Sequence, residues 1–171
     1  KEKRMQDKMR VALLNDSFPP VIDGVANVMS NYARILQEKY CDVLVATPEY
    51  PAAQDDYPYP VLRYPSIDTT RLTGYRAGAP LSPRTVWALN DFRPHILHTH
   101  CPMASALLAR TVRESTLAPV VLTYHTKYDI DIRTAVKNET VQNSLIRALV
   151  RVVSACDEIW VVSRGAGQNL W

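Results

Sequence analysis

No stretch of this sequence approaches the roughly 20 consecutive apolar residues that a membrane-spanning helix needs. The opening KEKRMQDKMR is polar and lacks the apolar segment of a secretory signal. Cysteine is scarce: Cys41, Cys101 and Cys156 are odd in number and widely spaced. That argues against a disulfide framework and leaves them as reduced small hydrophobes, as expected of a cytosolic protein. Excess charge is missing too. Twenty Lys and Arg against 17 Asp and Glu give a net +3, too little by itself to indicate a nucleic-acid partner. Internal repeats and low-complexity tracts are also absent.

What is present is an ordinary globular composition, with 47% hydrophobic and 22% charged residues in 171. That length suits one domain with a proper core. Residues 1–9 form a charged lead-in. Val11–Leu14 is a short unbroken apolar run, the signature of a strand covered on both faces. Pro19 and Pro20 end it, and Gly24 opens a helix whose Val25, Val28, Met29, Tyr32, Ile35 and Leu36 recur at helical spacing. Further strands are predicted at Cys41–Thr47, Val61–Tyr64, His95–Thr99, Val120–Thr123 and Glu158–Val162. Two proline-rich or irregular loops, 48–60 and 65–81, lie between them. Ser82 caps a helix through Phe92 with Pro83 at its first position, and Pro102 starts another. Asp131–Cys156 reads as one long helix with Ile132, Val136, Val141, Leu145, Leu149, Val152 and Cys156 along a stripe. Ser163 caps a last helix. The chain begins without Met and ends on Trp171 inside that helix, so a fragment is expected. Six strands alternating with helices predict an α/β fold with a doubly wound, mostly parallel, Rossmann-like sheet.

In such a sheet ligands bind beyond the carboxyl ends of the strands, at the switch point between the first and fourth. Asn15, Asp16, Ser17 and Phe18 follow the first strand. His98, Thr99, His100 and Cys101 follow the fourth, and Tyr124, His125, Thr126 and Lys127 the fifth. Gly24 has two readings. It either permits a tight turn, or it leaves open an anion site at a helix N-terminus, where free N–H groups and the dipole converge. The His98-Thr-His100-Cys101 run also has two readings. Both imidazoles share a strand face and, with His125, could ligate zinc, or they are structural hydrogen-bond partners. Gly165-Ala-Gly167 falls short of a dinucleotide fingerprint, since Leu170 stands where the third glycine belongs. Arg133, Lys137, Arg147 and Arg151 give the long helix a basic side, either a solvated face or a contact for anionic lipid heads.

Four segments together carry a resemblance. FPPVIDGVANVMSNYARIL is similar to the pattern F-x-P-x-x-G-G-V plus amphipathic helix. RPHILHTHCPMASALLAR is similar to P-D-I-V-H-x-H-x-P, APVVLTYHT to P-V-V-x-T-x-H-x, and CDEIWVVS to a-D-x-I-x-x-V-S. In this order they resemble the N-terminal half of GT-B glycosyltransferases of the family-4 type, across almost the whole chain. The resemblance implies retaining transfer of a sugar from a nucleotide-diphosphate donor, with no cofactor and no metal. Residues 10–171 would be the acceptor-side domain, and the donor-binding C-terminal domain, with its E-x7-E pair, would be a partner outside this sequence. Gly24, with Asp23 and Val25, would meet the donor phosphates. His125 would contact the donor sugar at the reacting centre without having to act as a general base. Asp16, Tyr75, Arg76, His100, Thr126 and Lys127 would serve the substrate or acceptor side. Asp23 departs from the family's glycine pair, and an Asp-Gly-Val form is similar to members that glycosylate diacylglycerol or make sulfolipid. The acceptor is thus expected to be a lipid or a glycan. With a lipid, the protein would sit at an anionic membrane surface, on the inner face of the plasma membrane. The other classes to weigh are a metal-dependent hydrolase using His98, His100 and His125, and a non-catalytic nucleotide- or sugar-binding module.

Overall fold

A computed structural model describes residues 8–170; residues 1–7 of the charged lead-in, and Trp171 at the end of the last predicted helix, lie outside it. The chain runs β1 (Arg10–Leu14), α1 (Gly24–Lys39), β2 (Asp42–Pro48), β3 (Val61–Tyr64), β4 (Ser66–Ile67), α2 (Thr70–Thr73), β5 (Ala77–Gly78), α3 (Pro83–Phe92), β6 (Ile96–Thr99), α4 (Ala104–Thr116), β7 (Val120–Tyr124), α5 (Tyr128–Ala135), α6 (Glu139–Ser154), β8 (Glu158–Val161) and α7 (Arg164–Leu170). Six of the strands form one sheet in the order β3-β2-β1-β6-β7-β8, every pair parallel. The order reverses between β1 and β6, where Leu14 faces Thr99 in register. The loops after these two strands turn to opposite faces and leave a crevice between them.

Each sheet face is closed by apolar side chains that the strand period sends to it. Val11, Leu13, Val43 and Val45 meet Met29 and Ala33 of α1 on one side. Ala12, Leu14, Leu44 and Leu97 meet Leu89 of α3 with Leu108 and Val112 of α4 on the other. Met29, Leu89 and Leu108 are fully buried, each contributing about 1.5–3 kcal/mol relative to exposure. A third cluster gathers Ile132, Leu149 and Val153 of α5 and α6 around Leu122 and Tyr124 of β7.

Three elements differ from the sequence reading. The predicted long helix is two helices. The backbone of Val136 is extended, and Asn138 caps α6 by accepting the Val141 N–H at 3.1 Å. The Gln142 side-chain amide donates back to the carbonyls of Arg133 and Val136, satisfying the end of α5. Of the predicted stripe, only Ile132 and Leu149 are buried, while Val141 and Leu145 face solvent. Helix α4 starts at Ala104 instead of Pro102, because Met103 is not helical (φ −110°, ψ −123°) and its side chain makes no cap bond. Within the 65–81 loop, β4 and β5 pair antiparallel around α2. Gly78 of β5 lies directly on the Tyr64 ring, so a Cβ there would collide with it.

Candidate active site

The crevice is bounded first by the start of α1. Asp23 has an extended backbone (φ −142°, ψ 171°), and its Oδ1 accepts the Ala26 N–H at 2.7 Å, the bond expected of an N-cap. Its backbone carbonyl accepts from Asn27. The N–H groups of Gly24 and Val25 are left without a partner among the described residues. Gly24 has an ordinary φ, and a Cβ there would meet no atom within 4 Å. Neither a turn nor internal packing demands glycine, so the tight-turn reading fails at this position. The missing side chain leaves free space in front of a positive helix end. The Tyr75 hydroxyl of the 65–81 segment lies near the Asp23 carboxylate, whose charge adds to burial in raising it.

Opposite stands a ladder of imidazoles at the ends of β6 and β7. His98 and His100 lie on the same strand face, as an extended chain requires, with ring centroids 4.4 Å apart. His125 stacks next at 5.3 Å from His100, and its Nε2 is 3.0 Å from His100 Nδ1. His98 Nε2 pairs with the Thr123 hydroxyl at 2.8 Å. Tyr32 of α1 sits edge-on to both inner rings, and Trp160 of β8 sits edge-on to His98. Burial holds all three imidazoles neutral. It pushes His98 down to about 4 and His100 further, with the neighbouring histidines adding to the effect. His125 is lowered by burial as well, although the nearby Asp23 carboxylate works against it. His125 thus lies within electrostatic range of the Asp23 carboxylate at the start of α1.

A second polar group lies beneath the crevice. Asp16 Oδ1 accepts the Ser105 N–H at 2.8 Å and the Tyr64 hydroxyl at 3.2 Å. It supplies the cap that Met103 does not, tying the β1 loop to α4 on the opposite sheet face. The Cys101 thiol and the Tyr128 hydroxyl are buried near Asp16, whose charge adds to burial in raising both. Burial raises both the Asp16 carboxyl and the Cys101 thiol. Asp16 therefore holds loops together, with its carboxylate turned inward.

The remaining predicted residues divide. Thr126 and Lys127 are exposed at the rim, and the Thr126 hydroxyl is 3.5 Å from Asp131 Oδ2. Arg76 is turned into its own segment, donating to the Ser66 side chain and backbone and facing Asp68 at 3.5 Å. The three histidines stack, with His98 Nε2 engaged on Thr123 and His100 Nδ1 and His125 Nε2 engaged on each other. Among the described residues no three potential ligands surround a common point, so the zinc geometry weighed for His98, His100 and His125 does not form. Among the described residues no helix is long and apolar enough to cross a membrane, and the three cysteines are free. A cleft of about 510 Å³ lies along β3 between Tyr50, Arg63 and Arg84. None of the predicted site residues lines it. Tyr32, Thr123 and Trp160 were not read as site residues. Tyr32 merges with the core stripe of α1, and Trp160 falls on an unspecified position of the a-D-x-I-x-x-V-S pattern.

Comparison with known proteins finds glycosyltransferases. The chain is 22% identical over 143 residues to an alpha-monoglucosyldiacylglycerol synthase of Streptococcus pneumoniae, an alignment covering 84% of this chain and 32% of the relative. It is 27% identical over 164 residues to the sulfoquinovosyl transferase SQD2 of Arabidopsis thaliana, covering 94% and 32%. A GDP-mannose-dependent alpha-mannosyltransferase of Corynebacterium glutamicum is 27% identical over 126 residues, covering 69% and 29%. The chain thus spans about a third of the length of the curated relatives it matches. The sequence profile of Glycosyltransferase Family 4 matches residues 22–171, from the Asp23-Gly24 helix start through the histidine ladder to the last helix, and the chain belongs to that family.

Proposed function

We propose that this chain is the acceptor-side domain of a retaining glycosyltransferase, moving a sugar from a nucleotide-diphosphate donor to a lipid or glycan acceptor. The observation that supports it most is the pair of unpartnered N–H groups at Gly24 and Val25, opening opposite His125 at the β1/β6 switch. As the nucleoside diphosphate departs, negative charge builds on its phosphates. Preorganised N–H groups at a positive helix end stabilise that charge without reorganising. Asp23 keeps the helix start in shape, while His125 orients the donor sugar. Thr126, Lys127 and Tyr75 contact the acceptor side from the rim. Asp16, Arg76 and His100 act from behind, fixing the loops on which those residues sit. A C-terminal domain binds the nucleotide and closes over the crevice, excluding the water that would hydrolyse the donor.

The finer reading is a lipid acceptor, with the protein peripheral at an anionic inner membrane face. Two of the relatives are named for diacylglycerol and sulfoquinovosyl chemistry. Val141, Leu145 and Val150 of α6 are exposed beside Arg147 and Arg151, a basic apolar face of the kind that rests on lipid head groups. Charge reversal at Arg147 and Arg151 should weaken sedimentation with anionic vesicles and leave neutral vesicles unaffected. Equal binding of wild type and variant would remove the membrane reading.

The central test uses the intact protein that carries this chain, with and without His125→Ala. Pooled nucleotide sugars and a bacterial lipid extract are supplied in EDTA, and release of nucleoside diphosphate is followed. Lipid-dependent release from one donor, reduced about 100-fold or more in the variant, supports the proposal. Release without lipid dependence moves the acceptor to soluble sugars or glycans. Release only with added metal would restore a hydrolase reading, and silence with every donor would leave a binding module.

A further inference from the structure

Within the histidine ladder, His100 has a contact pattern that fixes more than its own position. The residue is fully buried. One ring nitrogen, Nδ1, meets His125 Nε2 at 3.0 Å, while the other, Nε2, is buried with no hydrogen-bond partner. Two neutral imidazoles that share a bond must offer one N–H and one bare nitrogen. If His100 carried its proton on Nε2, that N–H would be buried with no acceptor, and genuinely orphaned buried N–H groups are rare in native structures. The proton therefore belongs on His100 Nδ1, which donates to His125 Nε2. His125 then accepts at Nε2 and carries its own proton on Nδ1. Burial keeps both rings neutral, so neither escapes the choice by becoming an imidazolium.

We infer that His100 is a positioning residue that locks His125 in the Nδ1–H tautomer. The group His125 then offers a ligand is a hydrogen-bond donor and not a base. Imidazole side chains free in water favour the opposite, Nε2–H form, so the lock has a measurable consequence. His125 Nδ1 has no partner among the described residues, and the two ring nitrogens diverge, so that N–H points away from His100. A neutral N–H of this kind suits a hydroxyl or phosphate oxygen of the bound donor. It cannot remove a proton from an acceptor at that atom. This assignment rests on the proposed role of His125 only for its consequence in catalysis. The tautomer itself belongs to the unliganded fold.

Long-range ¹⁵N–¹H correlation spectra of the intact, histidine-labelled protein read the tautomer directly, with His125→Ala used to identify the His125 signals. The inference expects an Nδ1–H pattern for His125 in the wild type. His100→Phe keeps a ring in the buried space but removes the donor, and should return His125 to a mostly Nε2–H pattern. His100→Asn keeps an N–H close to the lost Nδ1 and should restore the wild-type pattern. With the preferred donor sugar, His100→Phe should lower kcat/KM by about tenfold or more, and His100→Asn should recover most of it. An Nε2–H pattern in the wild type would overturn the inference, and so would an Nδ1–H pattern that survives His100→Phe. If the tautomer shifts as expected but His125→Ala keeps full activity, the lock stands, and it is the catalytic role of His125 that fails.

Discussion

Gly24 separates structural from functional need in a single residue. Its φ is unremarkable, and the space where a Cβ would project is empty. Gly24→Ala should therefore leave the unfolding midpoint unchanged or raise stability by up to about 1 kcal/mol, because alanine restricts the unfolded chain. On the proposed reading, the same methyl would stand where the donor phosphates approach. A displacement of about 1 Å there costs up to about 100-fold in turnover. The expected pattern is a stable variant with a raised KM for nucleotide sugar, and Gly24→Val should be worse. Normal kinetics in a stable Gly24→Val would remove the phosphate from this position. Gly24 was legible in the sequence because strand, prolines, glycine and helix follow one another within a short stretch. Asp16 was legible only as a polar residue at the rim. That its carboxylate caps α4 depends on Ser105, 89 residues away, and no local pattern reports a contact of that range.

At the scale of elements, apolar patterning and capping residues located the six strands of the main sheet and the helices α1, α3 and α4 that pack on it. Patterning failed where amphipathic spacing continues across a break. Ile132 and Leu149 are both buried on the same cluster, so the stripe looked continuous, yet Asn138 interrupts the backbone between them. Asparagine followed by Glu139 is a cap signal that the stripe obscured. Asn138→Ala should cost about 1 kcal/mol of stability by leaving the Val141 N–H unsatisfied, read as a lowered denaturant midpoint with unchanged slope. No loss would mean that the Gln142 bonds to Arg133 and Val136 hold the corner alone. The pairing of β4 with β5 was not legible for a different reason. Two-residue strands have no period, and Gly78 is placed by its fit on Tyr64.

For the whole molecule, the topology that creates the crevice also makes stability depend on pH. Parallel strands bring His98, His100 and His125 together under α1, where water is excluded. Their imidazoles are neutral in the fold, whereas the unfolded chain hydrates and protonates them. His98 titrates near 4 in the fold against 6.5 in the unfolded chain, so between those values the unfolded state binds more protons. Stability then falls as pH drops through this window and levels off below it. His98 alone accounts for up to about 3 kcal/mol of the fall. His100 and His125 act in the same direction. Asp16 opposes them, because burial raises its carboxyl in the fold and acid therefore favours the folded form there. The difference between wild type and His98→Gln isolates the imidazole, since glutamine can still pair with the Thr123 hydroxyl. Urea unfolding between pH 7 and pH 4 should show a shallower loss in the variant, and parallel curves would mean that His98 is not held neutral. A ladder that resists protonation in this window keeps positive charge off the crevice floor. The N–H groups of the α1 start then face the crevice as a source of positive potential, which the proposed function would set against the departing phosphates.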